Sequence, residues 1–199
     1  MKTLEEIYNQ KCNDIHSDIV EHLPTLKRYA EECEHITEMG VRWVVSTYAL
    51  MMGRPKKLIS IDVDSVENHG IRISDLVQLG KSVNTNFNFI IGDTRKIEIE
   101  ETDLLFIDTL HNYNQLKIEL DLHGNKAKKY LIFHDTTLFE YRDEMPDGAQ
   151  TTGLWPAIEE FLEKNKQWEI LERYRNNCGL TILKRNYESF NNRSSGITG

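Results

Sequence analysis

Cysteine is scarce in this chain. Cys12, Cys33 and Cys178 are odd in number, widely spaced and outside any CxxC arrangement, which fits free thiols in a reducing cytosol better than a disulfide framework. No apolar run approaches the ~18 residues a membrane span needs. The start, Met1-Lys-Thr-Leu-Glu-Glu6, lacks the apolar stretch of a secretory signal. A cytoplasmic protein without a membrane partner is therefore expected. Positive charge is also in short supply. Lys and Arg number 24 against 32 Asp and Glu, a formal charge of −8, which argues against a broad phosphate-binding surface and so against a nucleic-acid partner. No internal repeat and no GxGxxG turn is visible, so a dinucleotide site is disfavoured too.

What is present is alternation. Thr3-Leu-Glu-Glu6 has the pattern of a capping box, and Ser17 to Cys33 reads as further helix, with Pro24 at the start of a new segment. His35 to Gly40 reads as a strand, Val44 to Met52 as a helix stopped by Gly53 and Pro55, and Leu58 to Val63 as a second strand. A helix face at Ile73, Leu76 and Val77, a strand from Phe87 to Asp93 and another over 103–108 follow. Asn112 caps a helix that Gly124 stops, and a strand ends at Asp135. After a polar loop over 140–152 come a helix from Trp155 to Asn165 and a hairpin turning at Asn176-Asn-Cys-Gly179. Hydrophobic residues at 39 % over 199 positions suffice for the core of one domain. The boundaries expected are a domain over 1–185, an N-terminal helical segment over 1–34 and a disordered tail over 186–199. Strands alternating with helices give an α/β, doubly wound parallel sheet, and a closing hairpin is an unusual finish for one.

The strand ends carry the chemistry. In open α/β sheets ligands bind at the carboxyl edge. Glu38-Met-Gly40 closes the first strand, where Gly40 lets a ligand approach the backbone closely. Asp62 closes the second, where a carboxylate can take both ribose hydroxyls. Asp93 closes the third, where an acid can receive an exocyclic amine. Three acids at successive strand ends, with the bulky turn Gly40-Val-Arg-Trp-Val44 in place of a phosphate cradle, suit a nucleoside-bearing ligand without pyrophosphate. S-adenosylmethionine is such a ligand. The runs ending at Asp108, with His111 three residues on, and at His134-Asp135 bring two carboxylates and two imidazoles to the same edge. Blander readings stay open: Asp93 can serve a turn, His111 can cap the helix at Asn112, and His134 can be a satisfied core residue.

On these residues the chain resembles class I S-adenosylmethionine-dependent methyltransferases. It is most similar to small-molecule O-methyltransferases of the catechol, antibiotic-sugar and cephalosporin-biosynthesis types. The resemblance spans roughly 17–185 and rests also on Ser17 to Pro24, Thr37 to Arg42 and Asn177 to Lys184. It implies a Rossmann-like sheet of seven strands with the last antiparallel. Glu38 and Gly40 would shape the methionine pocket, Ser46 would hold the methionine carboxylate, Asp62 the ribose, and Asp93 the adenine. Asp108 and Asp135 would be metal carboxylates for Mg²⁺, with His134 standing where some members have an acid, and a frame slip would make Thr136 the neighbour. His111 would be the general base. Val44 replaces a glycine common in the cofactor turn. The implied partner is a small-molecule acceptor, a vicinal diol on a sugar or aromatic ring, with acceptor contacts in the N-terminal helices and loop 138–152. Pairing of subunits through the N-terminal helices leaves a homo-oligomer open. Two other classes compete: a metal-dependent hydrolase using the same His/Asp cluster, and a binding-only protein of the same fold.

Overall fold

The computed structural model describes residues 2–144 and 152–186. Residues 187–199 of the expected tail, and 145–151 of the expected loop, lie outside this range.

The chain opens with α1 (Leu4–Lys11), whose capping box is formed: the Thr3 hydroxyl accepts from the Glu6 amide while the Glu6 carboxylate accepts from the Thr3 amide. The helical stretch expected from Ser17, with a new segment at Pro24, is divided. A 3-10 turn at Val20–His22 leads into α2 (Leu23–Ala30), with Pro24 in the first helical turn, where its missing N–H leaves no bond unmade.

From there strands and helices alternate: β1 (His35–Met39), α3 (Val45–Met52), β2 (Lys57–Asp62), α4 (Ile73–Ser82), β3 (Asn86–Ile91), β4 (Thr102–Ile107), α5 (Tyr113–His123), β5 (Ala127–His134), α6 (Leu154–Lys164), β6 (Trp168–Tyr174) and β7 (Leu180–Arg185). The seven strands form one sheet in the order β3-β2-β1-β4-β5-β7-β6. The pairs from β3 through β5 are parallel, and β7 runs antiparallel to both its neighbours. The expected fold is the observed one.

Alternation of side chains along the strands feeds two cores. Leu104, Phe106, Tyr130 and Ile132 point to the layer of α1, α2, α3 and α4. Leu105, Ile107, Leu131 and Phe133 point to α5 and α6. Strands buried on both faces read as continuous apolar runs, as those ending at Asp108 and His134 do. No helix among the described residues is long and apolar enough to cross a membrane.

The order reverses direction between β1 and β4, and this is the switch point where open sheets leave a crevice. Gly40 is essential to its shape. At φ +82°, a Cβ there would fall 1.9 Å from the Asp108 carbonyl oxygen. The two strand ends therefore touch backbone to backbone, and the Asp108 amide donates to the Met39 carbonyl at 2.8 Å.

Candidate functional site

A cavity of about 970 Å³ opens over the carboxyl edge of β2, β1, β4 and β5. Its walls include Asp62, Asp93, Asp108, His111 and Asp135, all picked out in the sequence, and the N-terminal arm around Ser17 closes one side.

At the β1 end the loop 40–44 is left-handed at three positions: Gly40, Arg42 (φ 45°) and Val44 (φ 55°). Valine rarely adopts that region, because its branched Cβ crowds the following carbonyl. Val44 does so while buried and serving as N-cap of α3, with no side-chain cap on that helix. The first amides of α3, at Val45 and Ser46, thus begin the helix at the cavity wall, and an uncapped helix N-terminus favours a carboxylate.

Glu38 does not line the cavity. It is fully buried beneath it and accepts from Ser46 Oγ at 2.6 Å, Thr47 Oγ1 at 2.8 Å and Ser60 Oγ at 2.5 Å. Burial pushes its carboxyl up to about 7, although the three hydroxyls pull the other way. Glu38 pins the first turn of α3 to β1 and β2, and so shapes the pocket from behind. Ser46 lies on the wall, but its hydroxyl proton is committed to Glu38.

Asp62 fastens the turn 40–44. Its Oδ2 accepts from the amides of Val41 and Arg42 at 2.7 and 3.0 Å. Asp93 is held by Arg95 at 2.9 Å and Lys96 at 3.0 Å, and hydrogen bonding from Arg95 keeps its carboxyl well below the ordinary range.

Four groups meet at the β4 and β5 ends. His111 Nε2 lies 3.2 Å from Asp108 Oδ1 and 2.9 Å from Asp135 Oδ2. His134 Nδ1 lies 3.4 Å and 3.2 Å from the same two oxygens. Asp135 turns in at φ 60°, a conformation aspartate tolerates. Thr136 is not part of the group, because its hydroxyl is buried against Thr181 Oγ1 at 2.9 Å; the register at β5 therefore selects His134 and Asp135. The other nitrogen of each imidazole is anchored outside. His111 Nδ1 meets Glu144 Oε2 at 2.9 Å, and His134 Nε2 faces the Asn177 carbonyl at 3.3 Å. The His111 ring also stacks on Phe139, centroids 4.8 Å apart and planes within 7°.

The electrostatics of this group are set by its two carboxylates. Burial would lower the His111 pKa, but the Asp108 and Asp135 carboxylates override it and push it up to about 10. His134 is raised for the same reason. Burial alone would raise Asp108; the charge on His134 and the hydrogen bond from His111 hold it well down instead. His111 therefore carries a proton at neutral pH unless another charge compensates the two acids. One divalent cation matches two imidazolium protons in charge, and Asp108, His111 and Asp135 bring their ligand atoms within 4.8 Å of one another. The donor set fits a divalent cation.

Three residues of this region were not singled out from sequence. His22 is buried and its Nε2–H donates to the carbonyls of Asn176 and Asn177 at 3.0 and 3.1 Å, tying the N-terminal segment to the loop that also anchors His134. Its spacing to Leu26, Tyr29 and Cys33 on one helical stripe was the available signal. Glu119 is buried behind the cavity, bonded to Thr94 Oγ1, Thr109 Oγ1 and Gln115 Nε2; an acid between Leu116 and Leu120 on a core-facing stripe was its signal. Phe139 had none.

No family model and no curated protein matches this chain. Solved structures do. A protein of Corynebacterium glutamicum superposes with a TM-score of 0.60 at 14 % identity, over 83 % of this chain and 81 % of that one. The O-methyltransferase of Bacillus cereus in complex with SAH gives 0.59 at 12 % identity, over 92 % and 89 %. The O-methyltransferase TomG of Streptomyces achromogenes, involved in tomaymycin synthesis and in complex with SAM, gives 0.58 at 12 % identity, over 82 % and 80 %. At such identities the likeness establishes the fold alone, a Rossmann-like sheet of seven strands with β7 antiparallel.

Proposed function

We propose that the chain transfers a methyl group from S-adenosylmethionine to a hydroxyl of a small molecule, with a divalent cation beside the acceptor. The observation that carries this reading is the continuity of one cavity, from Asp62 and Asp93 at one end to Asp108, His111 and Asp135 at the other. Its volume lies at the upper end of the range for ligand pockets, about 300–1,000 Å³, which leaves room for donor and acceptor together. A hydrolase built on the His/Asp cluster alone would have no use for the acids at the β2 and β3 ends.

The donor supplies a methyl already activated on a sulfonium, and a bound divalent cation lowers the pKa of a coordinated hydroxyl. The chain's own task is alignment, which can contribute roughly 7–11 kcal/mol. In this reading Asp62 accepts from the ribose through Oδ1, which also takes the Asp64 amide at 3.1 Å. The ionised Asp93 accepts from the exocyclic amine. The methionine carboxylate rests on the α3 amides rather than on the Ser46 hydroxyl, which already donates to Glu38. Asp108 and Asp135 hold the cation where an adjacent pair of acceptor oxygens can reach it, so a vicinal diol on a sugar or ring fits best. Compensating the two acids takes the extra proton from His111 but leaves its Nε2 lone pair aimed at them. The reading therefore places His111 with the cation instead of assigning it the proton-transfer role expected from sequence.

Isothermal titration calorimetry with S-adenosylhomocysteine tests the reading. One molecule bound per chain is the expected result. No heat and no uptake at millimolar ligand would remove the methyl-donor assignment.

A further inference from the structure

We infer that Trp43, propped by His69, is the surface against which the donor's nucleoside packs, a binding residue supplied by the turn 40–44 itself. The inference rests on the methyl-transfer reading for the identity of the occupant; the exposed ring pair and its place on the cavity wall stand on geometry.

Three observations carry it. First, Trp43 is 49 % exposed, whereas Trp155 and Trp168 are 7 % and 4 % exposed. Tryptophan is highly buried on average, yet this one lines the cavity together with Val63, which is 69 % exposed. An apolar stretch on a wall otherwise rich in carboxylates suits an occupant with a flat, weakly polar face. Second, the ring is held in place. His69 packs against it, centroids 4.4 Å apart and planes inclined by 47°. His69 itself ends a 3-10 turn (Val66–His69) that the Ser65 side chain caps and Gly70 closes at φ 77°. Third, the residues on both sides of Trp43 are left-handed, Arg42 at φ 45° and Val44 at φ 55°, and neither is glycine. Backbone strain of this kind persists only where the surroundings enforce it, and it clusters at ligand clamps. Here Asp62 fixes the Arg42 amide and the core fixes the buried Val44, so the side chain between them is turned out onto the cavity wall.

Place then identifies the occupant. Arg42 donates its amide to Asp62, and His69 belongs to the connection that follows Asp62 in the chain. The ring pair therefore bridges the two sides of the acid read as the ribose contact, on the β1 and β2 side of the switch point. A purine ring and the apolar face of a ribose both suit an indole, and base–aromatic stacking tolerates any base because each has a π-face. Trp43 thus supplies affinity for a nucleoside, and the choice of base falls to Asp93.

The test uses full-length protein with S-adenosylhomocysteine and adenosine as probes. In acrylamide quenching of tryptophan fluorescence the two buried rings, Trp155 and Trp168, contribute little, so the signal reports Trp43. Saturating S-adenosylhomocysteine should lower the quenching constant toward that of the Trp43→Phe variant, in which only the buried pair emits. Trp43→Ala should weaken both probes by the same factor, on the order of 10-fold. Trp43→Phe should restore most of that loss, far-UV circular dichroism reporting that each variant is folded. A wild type that takes up S-adenosylhomocysteine with Trp43 as quenchable as before, or a Trp43→Ala variant that binds within about twofold of wild type, overturns the inference. So does quenching that falls as protein concentration rises without ligand, which would place a second copy of the chain on the ring. Equilibrium dialysis of the wild type separates the two ideas: uptake without protection of Trp43 removes only this one, and absence of uptake removes the methyl-donor reading and with it the occupant named here.

Discussion

Glu38 gives the sharpest thermodynamic prediction. Its carboxyl is fully buried and its pKa stands at about 7, against 4.5 for an ordinary glutamate. A folded-state pKa above the unfolded one means that folding takes up a proton between those values. The stabilisation is present in full below pH 4.5 and is lost as pH rises through 7. At about 1.4 kcal/mol per unit, the difference corresponds to about 3 kcal/mol over that window. Other acids, such as Asp93, titrate in the opposite sense, so the quantity to follow is the difference between wild type and Glu38→Gln. Gln removes the ionisation and keeps an oxygen for Thr47 and Ser60, which share Oε2, while its amide replaces the oxygen that accepts from Ser46. Urea unfolding of both proteins at half-unit steps from pH 4.5 to 8 measures it. Wild-type stability should fall by about 3 kcal/mol relative to the variant as pH rises. A difference constant to within about 0.5 kcal/mol across the series would refute the assignment of a raised pKa to this buried acid.

Other perturbations are as direct. Asp62→Ala should lower S-adenosylhomocysteine affinity on the order of 10- to 100-fold by calorimetry, because it removes a carboxylate acceptor and frees the Val41 and Arg42 amides together. Gly40→Ala should destabilise the fold by more than 2 kcal/mol in urea unfolding and displace Asp108, since the new Cβ would sit 1.9 Å from a backbone oxygen at a positive φ. His111→Ala should abolish methyl transfer to a diol acceptor while leaving S-adenosylhomocysteine affinity within about threefold; a loss on the scale of Asp62→Ala would show instead that His111 holds the donor.

The architecture was legible because its signals are local. Buried parallel strands announce themselves as apolar runs, and those ending at Asp62, Asp108 and Asp135 placed their acids at the edge by length alone. Parallel pairing followed from alternation, since each helix had to cross back over the sheet. The limits came where partners are distant in the chain. Ser46 lies on the cavity wall with its hydroxyl donating to Glu38, and nothing in the intervening residues encodes that rotamer. His22 finds its partners, the carbonyls of Asn176 and Asn177, some 154 residues away. The general-base role expected of His111 takes no account of the charges the fold sets beside it. A pKa near the ordinary value presumes solvent, whereas two strand ends press Asp108 and Asp135 against the same nitrogen. The same convergence is what suits the group to a cation.

A crystal of the protein grown with S-adenosylhomocysteine and Co²⁺ tests the assignment of the cavity most directly. Adenosine density against Asp62 and Asp93, with the thioether sulfur facing the corner of Asp108 and His111 and an ion held by Asp108, His111 and Asp135, is the expected result. Ligand bound elsewhere, or a cavity that takes up neither compound nor ion, would contradict it.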